Sequence, residues 1–139
     1  MDQDTEQAYR TYSELQFDQE RYPRVKVNPD YVDDLVSALK AGAELPPILV
    51  DEDNCVVDGY HRARAYRRHG GSGTQIPVRV VHFDSPTAAY REAVRQNARH
   101  GRRMKPKDIV RAVDLGRKHG LTVETLSADL GLTLPAIPW

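Results

Sequence analysis

"CVVDGYHRARAYRR", residues 55–68, is the stretch whose reading decides the fold. Cys55, Val56 and Val57 form a short apolar run of strand character, Asp58-Gly59 is a tight turn, and a helix follows. The first turn of a helix has backbone N–H groups with no partner inside the helix, and the dipole adds positive charge there. Such a start is a ready anion site. Gly59 lets the backbone turn sharply and a ligand approach closely. Arg62 can grip phosphate oxygens with its planar fork, and His61 can donate a further hydrogen bond. Arg62 also stands where the dipole disfavours a cation, which implies that an anion is expected beside it. Asp58, at the strand end, is a candidate to orient a hydroxyl, help hold a metal ion or act as a base. With a single glycine the stretch is neither a Walker A loop nor a dinucleotide fingerprint. On the opposing view, Ala63 and Tyr66 pack inward and the arginines simply face water. For Arg67 and Arg68 that solvated surface is the expectation.

Upstream, "NPDYVDDLVSALKAG" (residues 28–42) is a well-punctuated helix. Asn28 caps it, Pro29 suits its first position and Asp30, Asp33 and Asp34 favour its positive end. Val32, Leu35, Val36 and Leu39 form one apolar face, and Gly42 terminates it. "RVKV" (24–27) alternates as a strand does, whereas residues 1–20 carry few apolar positions and form a flexible acidic arm. "LPPILV" is a buried strand, "DEDN" a turn, "HGGSGTQ" a loop and "IPVRVVHF" another strand. Two proline-started helices follow, Pro86 to about Arg99 and Pro106 to about His119, with Gly101 and Gly120 where terminators belong. Thr122 caps "VETLSADL", in which Leu126 and Leu130 are core positions. The expected class is α+β: an α/β domain with a small mixed sheet over residues 21–103, then a helical tail over 104–139.

The chain has 139 residues, 40% of them apolar, which suits one packed domain with a small appendage. Its formal charge is zero, but residues 1–60 hold 14 acidic and 5 basic side chains, and residues 61–139 hold 6 and 15. A basic half points to a polyanionic partner, against the simpler view that the two halves neutralise each other. One cysteine, Cys55, excludes an internal disulfide framework, and no Cys/His zinc spacing occurs. No apolar run reaches the roughly 20 residues of a membrane span, and the acidic N-terminus is unlike a targeting peptide. The expected location is the cytoplasm, on the nucleoid if the protein binds DNA.

Residues 28–70 with "IPVRVV" resemble the N-terminal nucleotide-binding domain of the ParB/sulfiredoxin-like superfamily. Partition proteins of the ParB type carry G-E-R-R-x-R-A, and "GYHRARA" keeps Gly59, Arg62, Arg64 and Ala65 while placing Tyr60 and His61 at the Glu and Arg. Free serine kinases carry D-G-H-H-R, matched at Asp58, Gly59, His61 and Arg62. Sulfiredoxins need a Cys where Tyr60 stands, which argues against that chemistry. A second partition motif, E-N-x-Q-R, aligns with "RQNARHG": Asn97 matches, Gln96 replaces the Glu, and Arg99 and His100 replace the Gln and Arg.

The resemblance implies a nucleotide site made by Gly59, Tyr60, His61, Arg62, Arg64, Asn97, Arg99 and His100, with CTP (or ATP) and Mg²⁺ as cofactors. Asn97 would reach the Mg²⁺ that accompanies the nucleotide. An amide cannot replace a carboxylate, so Gln96 leaves turnover open. The implied function is a nucleotide-dependent switch in a DNA-binding partition or transcription-regulatory protein. The alternative is a small-molecule kinase or ATPase of the free serine kinase type, with Asp58 as its base. A nuclease is disfavoured for want of clustered carboxylates. "LTVETLSADLGLT" (121–133) resembles the first helix and turn of a helix-turn-helix, but "LPAIPW" leaves no room for a recognition helix. Arg102, Arg103, Lys105 and Lys107 are the candidate DNA contacts. The expected partners are thus a nucleotide, DNA in the full-length protein and a homodimer as the candidate assembly, with no membrane.

Overall fold

The computed structural model describes residues 5–24, 26–99 and 104–139. The chain divides into two compact units: residues up to Phe17 with Val27–His82, and Asp18–Lys26 with Phe83–Trp139. The helix that the sequence assigns to the first domain, residues 86–99, therefore groups with the helical tail.

The first unit holds a four-stranded mixed sheet made of β1 (Thr5–Thr11), β2 (Ile48–Val50), β3 (Val56–Asp58) and β4 (Gln75–Val81), in the order β1-β4-β2-β3. β4 runs antiparallel to β1 and parallel to β2, and β2 pairs antiparallel with β3. Ile76, Val78 and Val80 alternate into the core along β4, the period of a strand with one buried face. Two helices join these strands, α1 (Pro29–Lys40) and α2 (Tyr60–Gly70). The α1 cap is as expected: Asn28 Oδ1 accepts from Asp30 N–H at 2.9 Å and Tyr31 N–H at 3.1 Å. Val32 and Val36 of α1 pack on Ala65 of α2, with Leu35 and Leu39 beside them. Cys55 is buried, as its apolar surroundings suggest.

Two readings of the N-terminal residues are corrected. Within the supposed loose arm, residues 5–11 form β1, paired along their whole length with β4. A strand this polar is held by its partner, not by its own propensity. Pro77 stands opposite Tyr9 in that register and has no N–H to give; the Tyr9 carbonyl accepts from Arg10 Nη1 at 2.8 Å. Conversely, the described residues of "RVKV" belong to no strand, because the Arg24 side chain is buried among polar partners of the helical unit.

That second unit comprises α3 (Pro86–Arg99), α4 (Pro106–Lys118) and α5 (Val123–Leu130). Tyr90, Val94, Ala112, Val113, Leu126 and Leu130 form its core. Gly116 allows the close approach of α5, since a Cβ there would lie 2.6 Å from Leu126 Cδ2. Thr122 caps α5 by accepting from Thr125 N–H at 3.1 Å, and Gly131 ends it in the left-handed conformation. "LPAIPW" forms only a 3-10 turn at Leu134–Ala136. Gly101, proposed as the terminator of α3, lies outside the described residues.

Candidate functional site

β3 delivers Asp58 to its end, Gly59 turns the chain and α2 begins at Tyr60. Gly59 has φ +118°, and a Cβ there would stand 2.9 Å from Ile48 Cγ1 of β2. Two constraints thus demand glycine here before any ligand is considered.

The anion that Arg62 calls for is already in the chain. Asp58 Oδ2 accepts from Arg62 Nη2 at 2.9 Å, a pairing made natural by the spacing of four residues. Arg62 Nη1 also donates to the carbonyls of Pro46 and Pro47, each at 2.8 Å, tying the loop before β2 to the helix start. Arg62 is therefore engaged by protein oxygens in this conformation, and so is Asp58, the candidate base.

His61 is also committed. Asn28 donates its backbone N–H to His61 Nε2 at 3.0 Å, so that nitrogen is an acceptor and the ring is the neutral, Nδ1-protonated tautomer. Through Nε2 the ring anchors the cap of α1, with the Tyr31 ring centroid 5.0 Å away, which leaves Nδ1–H as the donor the sequence reading asks for. Tyr60 is buried, its ring edge-on to Phe17 with centroids 5.2 Å apart. Its burial gives it a packing role. Arg64 differs from all of these: it is exposed and has no ion pair or hydrogen bond among the described residues. Arg67 and Arg68 lie on the surface as expected, though Arg67 stacks over Tyr12 at 5.1 Å and Arg68 pairs with Asp33 at 2.6 Å.

Asn97 belongs to the second unit, on the last turn of α3. Its Oδ1 accepts from Arg24 Nε at 2.6 Å and its Nδ2 donates to the Ala93 carbonyl at 2.8 Å. Arg24 Nη2 reaches the Asn97 carbonyl at 3.3 Å, and Nη1 lies 4.0 Å from Asp108. A buried guanidinium needs such a set of acceptors. Arg111 adds bonds to the carbonyls of Tyr22 at 3.0 Å and Gln19 at 2.6 Å, so arginines stitch the Asp18–Lys26 segment to the helices. Gln96 donates to Glu92 at 2.5 Å, and Arg99 is exposed. Lys105 and Lys107 are exposed at the start of α4, whereas His100, Arg102 and Arg103 lie outside the described residues.

The first turn of α2 offers backbone N–H groups of the kind that phosphate takes, and Arg64, in the next turn, is open to solvent. Mg²⁺ does not fit Asn97 as placed: the oxygen a metal would take receives a cation's N–H instead. Among the described residues no three His, Cys, Asp or Glu side chains gather as a metal site. Sequence reasoning missed Arg24 and the Pro46–Pro47 carbonyls. It also read Asp58 and Arg62 as ligand-facing groups and not as each other's partner, and nothing local marks Arg24 as a buried partner of Asn97.

The comparisons with known proteins bear on the fold. A pNOB8-like ParB N-domain superposes with a TM-score of 0.66 at 17% identity, covering 83% of this chain and 46% of that one. ParB from Caulobacter crescentus complexed with CTP-γ-S gives 0.57 at 21% identity, covering 96% and 74%. The same protein complexed with the centromeric parS site gives 0.60 at 20%, covering 95% and 67%. The chain thus spans about half the length of the pNOB8-like structure. No curated protein sequence matches it. The family model described as the ParB N-terminal domain matches residues 2–97, which include the whole sheet and the Asp58–Arg64 turn, and the chain belongs to that family.

Proposed function

We propose that this chain is the nucleotide-binding module of a ParB-type DNA-binding protein that serves partition or transcription regulation, with CTP as its nucleotide. The observation that carries the reading is the glycine-led start of α2 inside the family-matched residues, with Arg64 exposed beside it. In this reading phosphate oxygens meet the first turn of α2 and Arg64 reaches them from the surface. Arg62 then exchanges Asp58 and the Pro46 and Pro47 carbonyls for phosphate, which frees the loop before β2. That exchange is the switch: the nucleotide changes which part of the protein the guanidinium holds. The similar C. crescentus structures, with CTP-γ-S in one and parS in the other, support CTP and DNA as partners. Exposed Lys105 and Lys107, with the basic second half of the sequence, support phosphate-backbone contacts.

Calorimetry with CTP, ATP and GTP, with and without Mg²⁺, tests the reading. CTP is expected to bind most tightly. Arg64→Ala should weaken it about tenfold or more without changing thermal stability, the loss expected for a charge-assisted hydrogen bond. No preference for CTP, together with indifference to both Arg64→Ala and Arg62→Ala, would reject it. The kinase alternative makes Asp58 the base, and the same exchange of Arg62 on to phosphate would release it. Incubation with ATP and free serine separates the two readings: phosphoserine above background favours the kinase, and none is expected for the switch.

A further inference from the structure

We propose that His61 is a proton-sensitive latch that holds the start of α1 on the start of α2 and lets go when the ring is protonated. This does not rest on the nucleotide reading. Asn28 joins the two helices through separate groups. Its side-chain Oδ1 caps α1 by accepting from the N–H groups of Asp30 and Tyr31, and its backbone N–H donates to His61 Nε2 at 3.0 Å. A neutral imidazole has one nitrogen able to accept, whereas an imidazolium has none, because both nitrogens then carry hydrogen. Protonating His61 would therefore bring an Nε2–H against the Asn28 N–H and replace a bond with a repulsion. The helices add to this effect. His61 lies in the first turn of α2, and its partner is the residue that caps α1. Two helix N-termini thus bring partial positive charge to one ring, and each disfavours a cation there.

The surrounding groups leave that balance in place. From α1, the Tyr31 ring stands 5.0 Å from the imidazole, and Asp30 is exposed, so solvent screens its attraction for an imidazolium. Farther along α1, Asp33 pairs with Arg68 and Asp34 is exposed. On α2 itself Arg62 and Arg64 flank His61 and add positive charge. Asp58, at the end of β3, is paired with Arg62 at 2.9 Å. The other elements packed on α2 are β2, which has no titratable side chain, and the 3-10 turn Tyr12–Glu14. In that turn Tyr12 lies under Arg67 and Glu14 accepts from the Thr11 N–H. Only the neutral ring makes the bond to Asn28, so the unfolded chain takes up the proton more readily. The stability that the latch contributes is then whole above the ordinary imidazole range, around pH 6.5, and is lost as the pH falls through and below it.

Nuclear magnetic resonance of the whole chain gives the first test. The Asn28 amide proton and the His61 Nε2 nitrogen are expected to titrate together, with one midpoint, as the pH is lowered from about 8 to about 5. Exchange of that amide, corrected for its intrinsic rate, should quicken roughly tenfold over the same range, the loss of one hydrogen bond. Urea unfolding gives the second test. His61→Gln keeps an acceptor oxygen that does not titrate in this range, so its urea midpoint should fall less on acidification than that of wild type. The remaining histidines are common to both proteins, and the difference between the two therefore reports His61 alone. His61→Leu removes the bond at every pH and should show neither the Asn28 shift nor the extra loss in acid. An Asn28 amide indifferent to the titration of His61, or wild type and His61→Gln losing stability in parallel, would each overturn the proposal. The resonance test needs wild type alone, so it decides the matter even where a variant fails to fold.

Discussion

Glycine at residue 59 and asparagine at residue 97 show how one residue can suggest a ligand and serve packing. Gly59 combines a left-handed backbone with close contact to Ile48, while Gly42 shares the positive φ, at +88°, but a Cβ there would meet nothing within 4 Å. Gly59→Ala should therefore cost about 1–3 kcal/mol and Gly42→Ala only about 1, a difference read from urea unfolding. Asn97→Ala removes the side-chain acceptor of the buried Arg24 Nε and should destabilise by about 1–3 kcal/mol, whereas Asn97→Asp keeps an acceptor and should be tolerated. An Asn97→Ala protein that keeps its urea midpoint would refute that role. The Asp58–Arg62 tie was within reach of a local reading, its partners lying four residues apart across the turn from β3 into α2, though both were read as ligand-facing. The Arg24–Asn97 bond was not within such reach, because its partners are 73 positions apart.

Capped elements were the legible ones. Asn28-Pro29, Ser85-Pro86, Lys105-Pro106 and Thr122 start their helices close to where capping chemistry places them, since a cap is decided within four residues. β1 was missed because its pairing, not its composition, makes it a strand, and "RVKV" misled because alternation cannot tell a solvated arginine from a buried one. Within α3, burial opposes ionisation of Glu92, but hydrogen bonds from Gln96 and Arg95, with the charges of Arg95 and Arg99, outweigh it and hold the carboxyl below the usual glutamate range. A lowered folded-state pKa contributes stability above the unfolded value and loses it as pH falls through the folded one. Glu92→Gln should therefore be less stable than wild type at pH 7, by under about 1 kcal/mol given its partial exposure. Thermal melts should show that gap closing as the pH falls below the ordinary glutamate range. Tyr90, buried at the centre of the helical core, donates to the Ala112 carbonyl at 2.6 Å, and burial pushes its hydroxyl well above the usual tyrosine range. Tyr90→Phe should cost about 1 kcal/mol by the same melts.

Over the whole molecule, the sequence's charge asymmetry reappears as exposed basic side chains on α2 and α4, and its fold class as a small mixed sheet followed by helices. The division of the chain was not legible, because α3 is joined to the tail by contacts that no local pattern announces. If residues 61–139 meet DNA through phosphates, the logarithm of affinity for nonspecific duplex should fall steeply and linearly with the logarithm of salt. Lys105→Glu/Lys107→Glu should weaken that binding and flatten the slope in a fluorescence titration. The strand order β1-β4-β2-β3 has one more consequence, for synthesis. The first strand leaves the ribosome early but pairs with residues 75–81, and Gln19 awaits Arg111, 92 positions later. Contacts so distant in sequence close late. A nascent chain released before Val81 is made would expose the Ile48–Val50 side of the sheet without its central strand, so stalled intermediates of that length should be the most dependent on chaperones.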